Sequence, residues 1–213
     1  MATPPHLSPK LVVGVGSLLL TLAATAATMR SPGYPAHHAL RSWPSVLLGR
    51  LRRELPRGDR TSLVWGTIAA WSLLVSVLHF GGVYYNVYTR LAWWDLLTHA
   101  MGGAGVAALL AMTFPASTLR SPAWIPSGVL AIGAGFEVYE FVFKTFWHRW
   151  SLSFYATDTA IDLVINTVGA VTIAVAAAVY QRRAGAAGPV AVDTPQPEQP
   201  AEADTDGAAT DPD

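Results

Sequence analysis

Long apolar runs alternate with shorter polar segments along the chain. Five such runs occur, at residues 11–29, 62–80, 92–114, 123–143 and 159–180. Each has about 20 residues, which is the length that a helix needs to cross the hydrocarbon core of a bilayer. Pro115, Pro122 and Pro126 mark the turn between the third and fourth runs. The pattern predicts an all-α fold, namely a polytopic integral membrane bundle of about five transmembrane helices.

The composition agrees with a membrane protein. Of the 213 residues, 52% are hydrophobic and 13% are charged, whereas soluble domains usually have about 25% charged residues. The chain has no cysteine. Disulfides, thiolate metal ligands and a cysteine nucleophile are therefore excluded.

Basic residues are divided unevenly between the segments that join the runs. If the chain crosses the membrane at every run, ten of them fall on one side: Arg30, Arg41, Arg50, Arg52, Arg53, Arg57, Arg60, Arg120, Arg182 and Arg183. The other side has Lys10, Arg90, Lys144 and Arg149. Because basic loops stay in the cytoplasm, this asymmetry predicts a protein of the cell membrane with its N-terminus outside and its C-terminus inside.

These features divide the chain into four segments. Residues 1–30 hold the first transmembrane helix, residues 31–61 form an Arg-rich cytoplasmic loop, and residues 62–182 form a four-helix membrane core. Residues 183–213 are rich in Ala, Pro, Asp and Glu, and they predict a disordered acidic cytoplasmic tail. The first run has a second interpretation as a cleaved signal peptide, because Ala24-Thr25-Ala26 resembles a cleavage site.

The Arg-rich loop contains its own apolar repeat. Trp43, Leu47, Leu51 and Leu55 recur every four residues, with arginines on the other faces. One interpretation is an amphipathic helix on the inner leaflet. The other is an ordinary basic loop that only sets the topology. In either case the basic residues lie next to the membrane, and nothing in the chain indicates nucleic-acid binding.

Five acids and one histidine lie in or at the edge of the last three runs. They are Asp95, His99, Glu137, Glu140, Asp158 and Asp162. Charged side chains inside spans are costly and usually face the interior of a bundle. At 1.5 Å per residue, those within the runs lie about 5–10 Å below the predicted outer surface, with Asn166 in the same layer and Asp158 at its rim. Within each helix they share one face. The spacing predicts a polar pocket in the outer leaflet.

The order of these motifs resembles a known family. The motifs are D-x3-H-x2-G from Asp95, E-x2-E from Glu137, and D-x3-D-x3-N-x2-G from Asp158. Together they resemble the YjdF-type family of bacterial inner-membrane proteins of unknown function and, more distantly, the VanZ-like family. The resemblance covers about residues 60–182. It implies a small polytopic membrane protein and, through VanZ-like proteins, a link to the cell envelope. It implies no established catalytic mechanism.

The first functional hypothesis is a metal-dependent membrane enzyme that acts on a lipid-linked or envelope substrate. Asp95, His99, Asp158 and Asp162 are ligand types that suit Mg, Mn or Zn. A carboxylate that is not a ligand can serve as a general base, and Glu137 and Glu140 are the catalytic candidates. No known catalytic signature such as H-E-x-x-H is present.

Two other hypotheses remain open. A small proton- or ion-coupled transporter is one, because intramembrane acids and histidines often form proton relays. The other is a structural or partner-binding role, in which the polar groups form a hydrogen-bond network between helices. In that case Asp158 caps the start of the fifth helix and Glu140 pairs with Lys144. We expect His79 at the interface, and Trp147 and Trp150 as interfacial anchors.

Overall fold

The computed structural model of the protein describes residues 8–91 and 93–186. Over that part of the chain the fold is helical and has no strand. The eight α-helices are α1 (Leu11–Arg30), α2 (Trp43–Glu54), α3 (Arg60–Tyr84), α4 (Val87–Arg90), α5 (Trp93–Thr113), α6 (Pro115–Arg120), α7 (Trp124–Phe143) and α8 (Leu152–Ala186). Five of them, α1, α3, α5, α7 and α8, are long and apolar enough to cross a membrane. The prediction of an all-α membrane bundle with about five spans is confirmed.

The start of α8 differs from the prediction. The helix begins at Leu152, because the Ser151 hydroxyl caps it by accepting a hydrogen bond from the Phe154 amide at 3.1 Å. The apolar run predicted from hydropathy began at residue 159, so it missed about two turns, in which Ser153, Thr157 and Asp158 interrupt the apolar residues. Asp158 therefore lies inside the helix, and the interpretation of Asp158 as its N-cap is wrong.

Three helices form the tightest part of the bundle. Helix α8 packs along α5 and α7, and α1 packs on the other side of α7. At the closest approach of α5 and α8, a Cβ on Gly169 would lie 2.8 Å from the Ala100 carbonyl oxygen, and a Cβ on Gly103 would collide with the backbone of Asn166. Only glycine allows the backbones to come this close.

Helix α3 is much less enclosed. Only 6% of its most apolar 18-residue window is buried. It packs on α5, and in residues 8–91 and 93–186 it has little contact with α1 or α7. A helix in this position leaves one face of the bundle open.

The two ends of the bundle have different contents. At one end, which we call the cluster end, lie the starts of α1, α5 and α8; Lys10 there donates hydrogen bonds to the carbonyl oxygens of Trp147 and His148 at 2.9 and 2.7 Å. At the other, the α2 end, the Trp43 ring packs on Phe114 and Trp124, with centroids 5.0 and 5.8 Å apart. The segment after α1 thus contains a helix docked on the bundle. Which end faces outward stays a prediction.

Two further expectations from the sequence concern the pairing of Glu140 with Lys144 and the acidic tail. In the described part of the chain Glu140 forms no ion pair with Lys144, whose ammonium lies 5.6 Å from the centroid of the Tyr139 ring instead. That expectation is wrong. The predicted acidic tail lies outside the described residues from residue 187 onward.

Candidate functional site

His99 is the centre of a polar cluster between α5 and α8. Its Nε2 atom lies 3.4 Å from Oδ1 of Asp95, one turn earlier on α5, and 3.6 Å from Oδ2 of Asp162 on α8. One ligand atom from each of these residues lies within 4.8 Å of the others. Two carboxylates and one imidazole at such distances are a donor set that divalent metals use.

The cluster is shielded from its surroundings. The side chains of Asp162, His99 and Asp95 are 5%, 11% and 30% exposed. The other ring nitrogen of His99, Nδ1, lies 3.1 Å from Nδ2 of Asn166. Either the amide donates to an unprotonated Nδ1 or, with the amide turned over, its oxygen accepts from a protonated one. In both cases Asn166 holds the ring so that Nε2 faces the carboxylates.

Glu137 of α7 adds a buried carboxylate beside the cluster. Glu137 is 2% exposed, and its Oε2 accepts a hydrogen bond from the Thr159 hydroxyl at 3.1 Å. Its Oε1 and the hydroxyl of Tyr155 are both buried and have no partner among the described residues. A buried polar atom without a partner indicates a water molecule or an ion in the site.

Helical geometry turns Glu137 toward the cluster. Gly133 lies one turn before it, and a Cβ there would be 3.3 Å from Nδ2 of Asn166. Residues one turn apart share a face of a helix. Glu137 is therefore next to the stretch of α8 that carries Asp162, one turn from Asn166.

The remaining acids lie at the margin of the site. Asp158 and Glu140 are partly buried, and neither belongs to the group around His99. Glu140 accepts through its backbone oxygen a hydrogen bond from Nε1 of Trp147 at 3.3 Å. Of the predicted site residues, the structure thus brings together Asp95, His99, Asp162 and Asn166, with Glu137 beside them.

Trp147 packs inward. It is 8% exposed and stacks between Phe141 and Tyr155, with ring centroids 5.0 and 5.5 Å away. The polar side chains that follow it, His148 and Arg149, are exposed. Trp147 therefore covers the end of the bundle near Glu137, and its role as an interfacial anchor stays a prediction.

Sequence reasoning missed a second set of polar contacts. The Tyr88 hydroxyl on α4 lies 2.9 Å from Nδ1 of His79 and 3.3 Å from Oγ1 of Thr98, so it joins α3 to α5. Burial raises the pKa of Tyr88 to about 12, so the hydroxyl stays protonated at neutral pH. His79, expected at the interface, packs instead against Phe136 at 5.9 Å. In the sequence, a threonine at position 98 inside an apolar run was a weak indication of these contacts, and nothing around Tyr88 indicated them.

Comparison with known proteins gives one match. A family model described as a predicted membrane protein (DUF2238) matches residues 16–183. The YjdF-type family is this family, so that resemblance is confirmed, and nothing supports the more distant one to VanZ-like proteins. A search of curated proteins and a search of solved structures gave no match.

Proposed function

The chain belongs to the DUF2238 family of predicted membrane proteins, and from that premise we propose that it is a membrane enzyme that uses one divalent metal ion. The proposed ligands are Asp95, His99 and Asp162. The observation that carries the proposal is the unpartnered Oε1 of Glu137, buried beside three ligand-type side chains whose donor atoms lie within 4.8 Å of one another.

The donor set fits Zn, Mn or Mg. Three protein ligands leave a position open for water or substrate, as in catalytic zinc sites, and two carboxylates also suit the harder ions. A bound metal would supply Lewis acidity at that open position. Asn166 orients the imidazole of His99, as second-layer hydrogen bonds do in metal sites. Asp158 and Glu140 have no part in the proposed ligand set.

Glu137 is the proposed general base. Thr159 holds one carboxylate oxygen in place, which leaves Oε1 free to accept a proton from a water molecule. The water oxygen then bonds to the electrophilic atom of an ester or phosphoester, and the bond to the leaving group breaks. The proton on Glu137 passes to the leaving group. The net reaction is hydrolysis of a substrate that reaches the site within the membrane, in the predicted outer leaflet.

A structural role is the second candidate, and one observation favours it. The contact between His99 and Asn166 bridges α5 and α8 next to the glycines where their backbones meet. The cluster would then lock the helices together without binding a metal. Hydrogen bonds between membrane helices contribute about 0.6 kcal/mol each on average, so such a lock would depend on several of them.

Metal analysis of the detergent-purified protein separates the two candidates. We expect close to one metal ion per chain in the wild type after growth with Zn, Mn and Mg. His99→Ala and Asp162→Asn should lose it, and the matched control Glu140→Gln should keep it. A chelator should also lower the melting temperature of the wild type, because a ligand that binds only the folded state stabilises it.

Two results would reject the enzyme proposal. One is a wild-type protein without metal whose melting temperature a chelator leaves unchanged. The other is metal that stays bound in both His99→Ala and Asp162→Asn. If His99→Ala destabilises the metal-free protein as much as it destabilises the untreated protein, the structural role is favoured.

A further inference from the structure

A long apolar groove runs along α5 and α7, and Asn166 of α8 reaches its end near the cluster. Two cavities form it: the upper cavity, of about 250 Å³, lies toward the cluster end, and the lower cavity, of about 500 Å³, lies toward the α2 end. Val106 and Ile132 line both, so the cavities meet at these two residues. We call this feature the α5–α7 groove. Its far ends are marked by His99 and Trp43.

The groove is open on one side, between α1 and α3. Helix α1 packs on α7 and α3 packs on α5, but α1 and α3 make little contact with each other within residues 8–91 and 93–186. Ile132, midway along the groove, is 46% exposed. In a membrane the gap between α1 and α3 would face lipid, so acyl chains would have direct access.

The imidazole and amide side chains of the groove lie at one end, and the polar side chains of the lower cavity are the threonines Thr25, Thr28 and Thr113. The upper cavity has His79, Thr98, His99 and Asn166 near the cluster, and its other walls are mostly aliphatic and aromatic. The lower cavity is closed by Trp43, Pro44 and Leu47 of α2. A ligand that satisfies both ends has a polar head and an apolar body.

The length of the groove fits one extended acyl chain of a lipid. From His99 to Thr113 the groove follows 14 residues of α5, or about 21 Å. That exceeds the hydrocarbon depth of one leaflet, about 15 Å. An amphipathic helix carries its polar and apolar faces along its whole length. The groove has its imidazole and amide side chains at one end only, which matches a lipid with one polar head better than a peptide helix or a helix from a second copy.

We propose that the α5–α7 groove binds one long apolar chain of a lipid whose polar head lies at His99. The chain runs from the cluster toward Trp43, and any second chain of the lipid stays in the bilayer between α1 and α3. This inference deepens the proposed function by naming the substrate class. It rests on that function only for the reaction at the head, since the binding of the chain depends on the groove alone.

Photolabelling of the reconstituted protein tests the proposal. The full chain is placed in vesicles of phosphatidylethanolamine and phosphatidylglycerol, with a small fraction of phosphatidylglycerol that carries a diazirine at the end of one acyl chain. After irradiation, mass spectrometry locates the adducts. We expect adducts concentrated on residues of the lower cavity, such as Leu47, Leu109 and Leu110.

A blocking variant and its control sharpen the test. Val106→Trp places an indole where the two cavities meet, and adducts in the lower cavity should fall severalfold. Val168→Trp is the matched control, because Val168 is 59% exposed on α8 and lies outside the groove. It should leave the adducts unchanged. Should Val106→Trp not fold, Ile132→Trp blocks the groove at the same level.

The outcomes are distinct for the groove and for the metal site. Adducts spread evenly over exposed positions such as Val164 and Val168, or a pattern that the blocking variant does not alter, would overturn the lipid inference. So would groove adducts that disappear as the number of protein copies per vesicle rises, because a second copy would then fill the groove. Metal bound without groove adducts rejects only the inference, and groove adducts without metal reject only the enzyme proposal.

Discussion

Gly103→Ala should separate α5 from α8 and break the contact that orients His99. A Cβ at position 103 would lie 2.6 Å from Cα of Asn166, and even nearer to its carbonyl oxygen. Carbon atoms in contact are normally about 3.5–4.0 Å apart, so α8 has to move by about 1 Å. The present 3.1 Å between Nδ1 of His99 and Nδ2 of Asn166 would then approach about 4 Å, beyond hydrogen-bond range.

The expected cost follows from these distances. Inserting a methyl group into a tight contact costs about 1–3 kcal/mol. Losing one hydrogen bond between membrane helices adds about 0.6 kcal/mol. Replacing glycine by alanine in a helix returns up to about 1 kcal/mol. The matched control is Gly102→Ala, since a Cβ there has nothing within 4 Å and gains the same helix preference. Gly103→Ala should therefore be about 2–4 kcal/mol less stable than Gly102→Ala.

Thermal unfolding in mild detergent, followed by circular dichroism, measures this difference. For a protein of this size a loss of 2–4 kcal/mol corresponds to a melting temperature lower by roughly 5–15 °C. Gly103→Ala should also weaken metal binding if His99 is a ligand, because the ring loses its orientation. Equal melting temperatures for the two alanine variants would refute the close contact between α5 and α8.

Three further predictions follow from contacts at the cluster end and from the loop charges. The pKa of Tyr88 is raised above its ordinary value of 10.0 to about 12, so its contribution to stability is complete below pH 10 and is lost as the pH rises toward 12. In urea titrations, Tyr88→Phe should therefore lose less stability than the wild type between pH 10 and 12. An equal loss in the two proteins would contradict this. Lys10→Met removes two hydrogen bonds to backbone oxygens and should lower stability by about 1–2 kcal/mol, with Lys144→Met as the control; equal melting temperatures would argue against the Lys10 contacts. Since the natural chain has no cysteine, Lys10→Cys should react with an impermeant maleimide on intact cells and Arg57→Cys only after lysis, and the opposite result would reverse the predicted orientation.

Hydropathy identified the membrane helices because a spanning helix needs a minimum number of apolar residues. Spacing then related the polar residues to one another. Counting 1.5 Å per residue predicted that Asp95, His99 and Asp162 lie in one layer, about 5–10 Å below the outer surface, and the structure brings these three together. Asp158 looked equivalent in sequence, but it lies one turn away from the group. Asp158 and Asp162 share a face of α8, so the position of α8 along α5 decides which of them reaches His99. That position depends on where Gly169 packs on Ala100, and the spacing along one helix does not encode it.

Amino-acid order alone determined the helical class and the number of apolar spans, and it predicted a depth for the charged residues, because these depend on solvation of each segment by lipid or water. Contacts between segments needed the tertiary structure. The hydroxyl of Tyr88 reaches His79 and Thr98 only because α4 folds back between α3 and α5, and Trp43 closes the groove only because α2 docks on Phe114 and Trp124. The groove itself exists because α3 packs on α5 and, within the described residues, makes little contact with α1 or α7, so the space between α1 and α3 stays open. Such arrangements depend on how side chains from distant segments fit together, and no local pattern of apolar and polar residues specifies that fit.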